Sequence, residues 1–505
     1  MSSDNFYALL KSRFQGAEAR PFLTLPDGRA VSYGEADALS ARMAGALLAA
    51  GARPGDRLLA QVEKSPENVA LYLGAMRAGL VYIPLNTAYT TDEVSYFLND
   101  AKASLLICDP TKEERLAPLA KTAGAGSTLT LGADGCGTLA QAAKSAPPFE
   151  NIQTRHADDL ASILYTSGTT GLSKGAMLTH ENLRSNALAL NELWRFTSED
   201  VLLHALPVFH IHGLFVALHT AMLSACEILF LPKFDIAKIR TSLPRASVMM
   251  GVPTFYTRLL AEPDFDRGAA AHMRLFISGS APLTSETFNA FEERTGCKIL
   301  ERYGMSEAGM IASNPLEGER IAGTVGYPLP GVSVRITGED GALLPADTPG
   351  NVEVKGPNIF KGYWMKPQKT KEDFREGGWF VTGDIGALSA DGRLTLMGRS
   401  KDLIIAGGFN IYPKEIEQVL DAIPGVAESA VIGVPHPDMG EGVAAVLVAE
   451  SAPLDASVLQ DALSTLARFK RPRKFFWVEA LPRNAMGKVQ KQVLRQDYAQ
   501  VFITK

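Results

Sequence analysis

Residues 165–175 read Tyr-Thr-Ser-Gly-Thr-Thr-Gly-Leu-Ser-Lys-Gly and directly follow the apolar run 160–164. That run has the composition of a short buried strand. The eleven residues after it hold five Ser/Thr hydroxyls, three glycines and one lysine, a composition that cannot pack into a core. Glycines let backbone N–H groups converge on an anion, and hydroxyls and an ammonium add further donors. The stretch therefore predicts a buried strand followed by a triphosphate-binding loop.

The loop does not have the spacing of the Walker motif, which needs four residues between its glycines and ends in Gly-Lys-Ser/Thr. Here two residues separate Gly168 from Gly171, and Ser173 precedes Lys174. The spacing therefore argues against a phosphoryl-transferring NTPase, which would release ADP and phosphate. The remaining alternative is a Ser/Thr/Gly surface loop without a ligand, a common kind of loop.

Size and composition indicate a globular protein with more than one domain. The 505 residues exceed the roughly 250–300 at which single cores stop growing. Charged residues make up 21% and hydrophobic residues 46%, as in ordinary globular proteins. The net charge of −5 argues against a nucleic-acid partner. The four cysteines have neither metal-site nor disulfide spacing, so we expect a reducing, cytoplasmic location.

No membrane partner is expected. The N-terminus has no apolar core after a basic start, as a signal peptide would require. The apolar segment 201–232 is interrupted by four histidines, Pro207 and Glu227, whereas a spanning helix needs about 20 mostly apolar residues. A buried strand and helix is the better interpretation.

Strand and helix patterns alternate through the first part of the chain, for example helices at 33–50 and 67–78 and strands at 56–62 and 81–85. This rhythm predicts an α/β fold with stacked, mainly parallel sheets and helices on both faces. From about Gly326, short strands separated by Gly/Asp turns predict a small β-rich lobe.

A second alternation near the C-terminus predicts a compact α+β domain of about 100 residues. It consists of helices at 414–422 and 457–469 and strands at 426–434 and 443–449. We therefore divide the chain into an N-terminal domain, residues 1–398, and a C-terminal domain, residues 399–505.

Five motifs stand in order along the chain: 165–175, Glu-Arg-Tyr-Gly-Met-Ser-Glu at 301–307, Thr-Gly-Asp at 382–384, Gly-Arg-Ser-Lys-Asp at 398–402 and Pro-Arg-Asn-Ala-Met-Gly-Lys at 482–488. Together they resemble the signature series of the acyl-adenylate-forming superfamily, which includes acyl-CoA synthetases, luciferases and peptide-synthetase adenylation domains. The resemblance implies that a carboxylate attacks the α-phosphate of ATP, with Mg²⁺ as cofactor. An acyl-CoA synthetase then passes the acyl group to CoA.

The resemblance also assigns roles in nucleotide binding. Asp384 would accept the ribose hydroxyls with help from Arg399, and Glu307 and Thr166 would bind Mg²⁺. Without the resemblance, Asp384 would be a turn aspartate and Glu307 a solvated loop glutamate. The ATP- and phosphate-binding candidates are Thr166, Ser167, Gly168, Thr169, Thr170, Lys174, Gly279, Ser280, Ala281, Glu301, Arg302, Tyr303, Gly304, Met305, Ser306, Asp384 and Arg399.

Lys488, Glu307 and His210 are the catalytic candidates. By resemblance, Lys488 bridges the carboxylate and the α-phosphate during adenylation, although an exposed lysine near a C-terminus is usually only solvated. Its long reach implies a mobile C-terminal domain, with Lys401 as the hinge. Gly407 and Gly408 would then approach the path of CoA. Acetylation by a modifying enzyme would remove the charge of Lys488 and abolish adenylation.

Within the superfamily, the segments 206–215, 250–260 and 300–305 most resemble malonyl-CoA synthetases. Arg258 would bind the second carboxylate, with His210 and Ser280 beside the acyl group. Otherwise Arg258 is an exposed helix residue. Related enzymes have Thr-Glu-Thr after the Gly-Met pair, whereas this chain continues Ser-Glu-Ala-Gly from Ser306. The smaller residues would admit methylmalonate.

Two alternatives remain from the sequence. One is an acyl-CoA ligase for an aryl, short-chain or medium-chain acid, which an anionic second group in the substrate would distinguish. The other is a non-catalytic nucleotide-binding or carrier-loading module. The presence of both Asp384 and Lys488 argues against an inactive module.

Overall fold

The computed structural model describes residues 3–166, 173–407, 409–484 and 488–503. The helices of this part are α1 (Phe6–Phe14), α2 (Tyr33–Ala49), α3 (Pro66–Arg77), α4 (Thr91–Ala101), α5 (Glu113–Thr122), α6 (Thr138–Ser145), α7 (His180–Leu193), α8 (His219–Ser224), α9 (Ile236–Ser242), α10 (Pro253–Leu260), α11 (Ser285–Thr295), α12 (Pro367–Asp373), α13 (Pro413–Asp421), α14 (Ala456–Ala462) and α15 (Lys491–Asp497).

The strands are β1 (Pro21–Thr24), β2 (Ala30–Ser32), β3 (Arg57–Gln61), β4 (Val81–Pro84), β5 (Leu105–Cys108), β6 (Ser127–Thr130), β7 (Leu160–Thr166), β8 (Lys174–Thr179), β9 (Val201–His204), β10 (Glu227–Phe230), β11 (Val248–Gly251), β12 (Leu275–Ser278), β13 (Leu300–Met305), β14 (Gly309–Ser313), β15 (Tyr327–Pro328), β16 (Ser333–Thr337), β17 (Gly350–Lys355), β18 (Phe374–Arg375), β19 (Trp379–Leu388), β20 (Leu394–Arg399), β21 (Ile404–Ala406), β22 (Phe409–Ile411), β23 (Val426–His436), β24 (Gly440–Ala449) and β25 (Lys474–Val478).

Two large sheets form the framework of the N-terminal part. The first has the order β6-β5-β3-β4-β7-β8 and is parallel except for the β7–β8 hairpin at its edge. The second has the order β15-β14-β13-β12-β11-β9-β10-β1-β2, with parallel central strands and antiparallel edges. The predicted α/β class, with stacked and mainly parallel sheets, is confirmed.

Two smaller sheets follow in the chain. An antiparallel sheet of β16 to β20 forms the predicted β-rich lobe. A separate sheet of β21 to β25, covered by α13, α14 and α15, forms the smaller C-terminal unit. The last strand that pairs with the β-rich lobe ends at Arg399, and the first strand of the C-terminal sheet begins at Ile404.

The helix predicted over 457–469 is shorter in the structure, where α14 ends at Ala462. The chain becomes extended at Leu466 after one 3-10 turn. The Arg471 guanidinium donates to the carbonyls of Ser464 and Leu466 at 2.8 and 2.9 Å, respectively. These side-chain bonds take the place of the helical hydrogen bonds that the sequence pattern suggested.

Local sequence signals explain the helices that position the site. α4 begins with a capping box of Thr90 and Glu93, and α7 begins with one of Thr179 and Asn182. The apolar segment 201–232 forms β9, a π-helix (His212–Leu218), α8 and β10, all largely buried. Within the described ranges, no helix is both long and apolar enough to cross a membrane.

Candidate active site

The β7–β8 hairpin presents the two described ends of the hydroxyl-rich stretch. Thr166 and Lys174 are register partners at the end of this hairpin. The Thr166 Oγ1 lies 3.5 Å from the Glu307 Oε1, and the Lys174 Nζ lies 5.5 Å from the ring centroid of Tyr363. The candidates Ser167, Gly168, Thr169 and Thr170 lie outside the described residues.

Glu307 lies in the turn between β13 and β14 and is 7% exposed. Its Oε1 accepts a hydrogen bond from the Tyr363 hydroxyl at 3.3 Å. Burial raises the pKa of this carboxyl, while Arg399 and Lys488 act against that shift. No group of three or more His, Cys, Asp or Glu side chains suited to a metal occurs in the described part of the chain.

This donor set fits Mg²⁺. Magnesium in nucleotide sites is commonly held by one or two protein oxygens, with phosphates and water completing the octahedron. Glu307 supplies a hard carboxylate oxygen and Thr166 a hydroxyl 3.5 Å away, and Thr166 is the register partner of Lys174. The sequence-based assignment of these two residues to the metal is therefore chemically consistent and remains a prediction.

A second set of residues comprises Asp384, Arg399, Tyr303 and Thr382; we call it the ribose corner after the role that the sequence predicts for Asp384 and Arg399. Asp384 and Arg399 are register partners on β19 and β20, and the Arg399 Nε lies 2.8 Å from the Asp384 Oδ1. The Tyr303 hydroxyl donates to the Asp384 Oδ2. The Arg399 Nη1 donates to the Thr382 carbonyl oxygen at 3.1 Å. Both carboxylate oxygens of Asp384 thus have partners, and each retains lone-pair capacity for a ribose hydroxyl.

Glu301 lies on β13 and is 6% exposed. Its Oε1 accepts from the Leu283 backbone N–H at 3.1 Å, whereas its Oε2 has no partner among the described residues. Burial raises the pKa of this carboxyl to about 7, against the Leu283 hydrogen bond and the charges of Lys414 and Arg302. Glu301 is therefore a buried carboxyl group whose Oε2 is left for a ligand to satisfy.

The remaining candidates of this motif shape the β13–β14 turn. A Cβ on Gly304 would lie 2.3 Å from the Gly309 carbonyl oxygen, so the close approach of the two strands requires glycine there. Met305 and Ser306 are half-buried at the turn. A Cβ on Gly309 would lie 2.7 Å from the Asn186 Oδ1, and its φ is +59°. Packing against α7 therefore explains the glycine at position 309, which is one part of the Ser-Glu-Ala-Gly segment that differs from related enzymes.

A third set comprises Arg302, Gly279, Ser280, His210 and His212; we call it the acyl wall because the sequence predicts His210 and Ser280 beside the acyl group. Arg302 is only 3% exposed, and its Nε and Nη2 have no hydrogen-bond partner within the described ranges. A Cβ on Gly279 would lie 2.4 Å from the Arg302 Cζ, so glycine lets the guanidinium lie against this turn. Burial lowers the pKa of Arg302 to about 9.

The two histidines of the acyl wall are neutral at physiological pH. Burial lowers the pKa of His210 to about 3, with further contributions from Lys488 and Arg302. The His212 pKa is also lowered, first by burial and then by Arg302. The His212 Nδ1 lies 3.1 Å from the Ser280 Oγ, and Ser280 has a φ of +72°, uncommon outside glycine. Ala281 follows as a half-buried residue.

Arg258 and Arg302 have different environments. Arg258 is exposed on α10, with its guanidinium 5.5 Å from the ring centroid of Phe234. The sequence assigned Arg302 to the nucleotide, and that assignment stays a prediction; in the structure two of its guanidinium nitrogens have no partner among the described residues, and the guanidinium lies against the turn at Gly279. The sequence signal that could have suggested that Arg302 is a buried cation is its position within the segment that forms the buried strand β13. The role of Arg258 stays a prediction, and Arg302 fits a buried carboxylate better.

Lys488 connects the two sets of residues. Its backbone N–H donates to the Asn484 Oδ1, and the Asn484 N–H donates to the Lys488 carbonyl oxygen, both at 3.0 Å. Crowding by protein removes water from the ammonium and, together with Arg399, lowers its pKa, while Asp384 and Glu307 favour the charged form. Arg302 and His210 also interact electrostatically with Lys488. The charge of Lys488 is therefore influenced by residues of both the ribose corner and the acyl wall.

The proposed hinge and CoA residues follow β20. Lys401 is an exposed residue in the 3-10 turn Ser400–Asp402, and the protein atoms around its ammonium lower its pKa. Its neighbour Asp402 pairs with the Arg495 Nη2 of α15 at 2.8 Å. Gly407 has a φ of +59° and donates its N–H to the Met439 carbonyl oxygen at 2.9 Å. Gly408 lies outside the described residues.

Comparison with known proteins gives consistent results. The AMP-binding enzyme family matches residues 10–364, and its C-terminal domain family matches residues 415–488. The crystal structure of ATP-bound MatB from Rhodopseudomonas palustris is 51% identical, covers 99% of this chain and 100% of that one, and superposes with a TM-score of 0.97. The apo structure of that protein, with the same identity and coverage, gives 0.87.

A relative known from its sequence points the same way. The malonate–CoA ligase of Arabidopsis thaliana is 37% identical over 520 residues, which cover 93% of this chain and 85% of the plant protein. The family match covers more than half of the chain and extends through both the ribose corner's Tyr303 and the acyl wall. The chain therefore belongs to the AMP-binding enzyme family.

Proposed function

We propose that this protein is an AMP-forming acid–CoA ligase that converts malonate, ATP and CoA into malonyl-CoA, AMP and pyrophosphate. The observation that carries the proposal is Arg302, a buried guanidinium whose Nε and Nη2 have no partner within the described part of the protein. MatB and a plant malonate–CoA ligase are among the proteins most similar to this chain.

The chemistry of Arg302 favours a dicarboxylic acid. A buried charge without a counter-ion is costly, and a carboxylate can satisfy two guanidinium nitrogens at once. An aliphatic acyl chain in the same place would leave both nitrogens unpaired and would lose about 1–3 kcal/mol or more of binding free energy. We extend the proposal to methylmalonate, a C2-branched acid, on the small side chain of Ala308, since the packing of Gly309 on Asn186 of α7 accounts for the glycine.

In the first half-reaction, a carboxylate oxygen of the acid attacks the α-phosphorus of ATP, and pyrophosphate leaves. Two anions must meet, so positive charge at the point of reaction stabilises the transition state. Lys488 provides that charge. Lys174 and Thr166 bind the outer phosphates, and Asp384 with Arg399 holds the ribose.

The remaining residues orient the reactants. Mg²⁺, held by Glu307 and Thr166, would neutralise phosphate charge. His210 is neutral, so it positions the acid through hydrogen bonding and does not add a second charge beside Lys488. Arg302 holds the second carboxylate away from the phosphate, which leaves the first one free to react.

In the second half-reaction, the thiol sulfur of CoA attacks the acyl carbon, and AMP leaves with the electrons of the acyl–oxygen bond. We place the domain boundary between residues 398 and 399, with Lys401 as the hinge and Gly407 and Gly408 on the path of CoA. Support comes from the change of sheet between Arg399 and Ile404. The higher TM-score to the ATP-bound than to the apo relative is consistent with an adenylation-competent arrangement.

We also propose that a modifying enzyme acetylates Lys488, which is exposed as a residue although protein atoms crowd its ammonium. Acetylation or Lys488→Ala removes the charge, and we expect adenylation to fall by about a thousandfold. Thioester formation from supplied malonyl-AMP and CoA should change less than about threefold, since Lys488 acts before that step. Equal loss in both half-reactions, measured by single-turnover assays, would remove Lys488 from its assigned role.

The function is tested by pyrophosphate release with ATP, Mg²⁺ and CoA, using malonate, methylmalonate, acetate, butyrate and benzoate as acids. Mass spectrometry of the thioester identifies the product. We expect turnover to be selective for malonate and methylmalonate. Preference for a monocarboxylate would keep the ligase chemistry and overturn the proposed substrate. If none of the five acids led to pyrophosphate release, the enzymatic proposal itself would be overturned.

A further inference from the structure

One face of α4 bonds to β7 and to the residue that immediately precedes β8. Tyr96 and Asp100 are four residues apart and therefore lie one above the other on this helix. The Tyr96 hydroxyl donates to the Ser173 carbonyl oxygen at 2.6 Å. The Tyr165 hydroxyl donates to the Asp100 Oδ2 at 2.7 Å. Ser173 immediately precedes Lys174 and Tyr165 immediately precedes Thr166, so each bond acts next to a proposed phosphate-binding residue.

The segment that contains Trp364 and Lys366 also bonds to both α4 and the hairpin. The Trp364 indole N–H donates to the Asp100 carbonyl oxygen at 3.0 Å, and the Trp364 backbone N–H donates to the Gly175 carbonyl oxygen at 2.8 Å. The Lys366 Nζ lies 3.5 Å from the Asp100 Oδ1. Asp100 therefore bonds both to Tyr165 of the hairpin and to the segment that contains Trp364 and Lys366. These bonds fix the spacing between α4 and the hairpin.

Lys174 has little else to fix its position. No ion pair of its ammonium occurs within the described residues, where its recorded neighbour is the aromatic ring of Tyr363. A lysine side chain without a carboxylate partner is located chiefly by its backbone, since its four-carbon stem is flexible. The backbone on the N-terminal side of Lys174 is held at the Ser173 carbonyl by Tyr96.

We propose that Tyr96 and Asp100 are positioning residues for ATP that fix the ends of the hairpin presenting Thr166 and Lys174. The inference rests on the proposed function, which assigns these two residues to the nucleotide. Fixing the hairpin ends before ATP arrives reduces the conformational entropy lost on binding. Neither residue is expected to touch the substrate, and neither belongs to the ribose corner or the acyl wall.

The test is Tyr96→Phe, which removes the hydroxyl and keeps the ring packed on Phe97. Tyr89→Phe is the matched control, because the Tyr89 ring also packs on Phe97 and no hydrogen bond of its hydroxyl occurs within the described ranges. We expect Tyr96→Phe to raise the KM for ATP about three- to tenfold, as befits the loss of one hydrogen bond. The KM values for malonate and CoA and the rate of thioester formation from supplied malonyl-AMP should stay within about twofold.

Asp100→Ala serves as the second variant, since it removes both the acceptor of the Tyr165 hydroxyl and the partner of Lys366. It should raise the KM for ATP in the same direction. An unchanged KM for ATP in both variants would overturn the inference, as would an equal loss in both half-reactions. The wild-type protein separates this failure from that of the proposed function, because wild type that forms no AMP and no thioester would refute the function itself.

Discussion

The ribose corner and the acyl wall are both buried and charged, but only the ribose corner satisfies its own charges. In the ribose corner, Asp384 has Arg399 and Tyr303 as partners before any ligand binds. In the acyl wall, the Arg302 Nε and Nη2 have no partners among the described residues. A paired site can serve any ATP-dependent acid activation, whereas an unpaired guanidinium makes binding depend on the charge of the acid.

Buried polar groups without partners are rare in native proteins because each costs free energy. Three such groups belong to this region, namely the Glu301 Oε2, Arg302 and the His212 Nε2. Glu301 and Arg302 are neighbours on β13, and His212 contacts Ser280, which follows the glycine packed against Arg302. Their concentration around β13 indicates that this part of the protein is completed by its ligands. The low pKa of His210 adds to this contrast, because it leaves Arg302 as the positive group of the wall that can pair with an acid.

The largest effect that sharpens the contrast is expected from Arg302→Met, which keeps the side-chain volume and removes the charge. We expect kcat/KM for malonate to fall about a hundredfold, because a buried carboxylate–guanidinium pair is lost. The KM for ATP should change little, since the ribose corner is intact. Kinetics with butyrate, which has no second carboxylate, should show no comparable loss.

Arg258→Met is the matched control for that variant, and it also tests the assignment made from the sequence. Arg258 is exposed and rests on Phe234, so we expect less than about a threefold change in the KM for malonate. A strong rise in that KM with Arg258→Met and none with Arg302→Met would exchange the roles of the two arginines and break the contrast drawn here.

A smaller effect concerns stability and tests whether β13 carries an unsatisfied carboxyl. Burial raises the pKa of Glu301 to about 7, so the fold favours its protonated form. Its stabilising contribution is complete below the ordinary carboxyl pKa and is lost as the pH rises through about 7. Glu301→Gln should therefore gain about 2 kcal/mol over wild type between pH 5 and pH 8, measured by urea unfolding.

The control for this measurement is Glu339→Gln, an exposed carboxyl for which we expect no pH-dependent difference in unfolding free energy. A Glu301→Gln variant whose stability relative to wild type does not change with pH would show that Glu301 is charged and paired in the folded protein. The β13 strand would then hold one unpaired group fewer than the structure indicates.

Periodicity was sufficient to predict most of the fold. The helices predicted at 33–50, 67–78 and 414–422 coincide with α2, α3 and α13 within about one residue. Local start signals fix their first turns, because serine caps precede α2 and α3 and proline begins α3 and α13. The helix predicted at 457–469 was too long because the Arg471 bonds to Ser464 and Leu466 lie outside any local pattern. A side chain that ends a helix from several residues away leaves no signature in hydrophobic periodicity.

The site was predictable only where a motif carried its own chemistry. Asp384 and Arg399 belong to short motifs, and the β19–β20 register makes them partners. The sequence assigned the second carboxylate to Arg258 and gave no reason to prefer Arg302, since the neighbours of an arginine along the chain do not reveal whether its guanidinium is buried. The exposure of the two arginines depends on which side of α10 faces solvent and on how β13 packs against the turn at Gly279.

The most direct test of the account is a crystal structure of the protein with malonyl-AMP bound. We predict two contacts of about 2.7–2.9 Å between the second carboxylate and the Arg302 guanidinium, and ribose hydroxyls on Asp384. A second carboxylate that points into solvent or pairs with Arg258, with Arg302 still unpartnered, would contradict the central claim that the acyl wall selects a dicarboxylic acid.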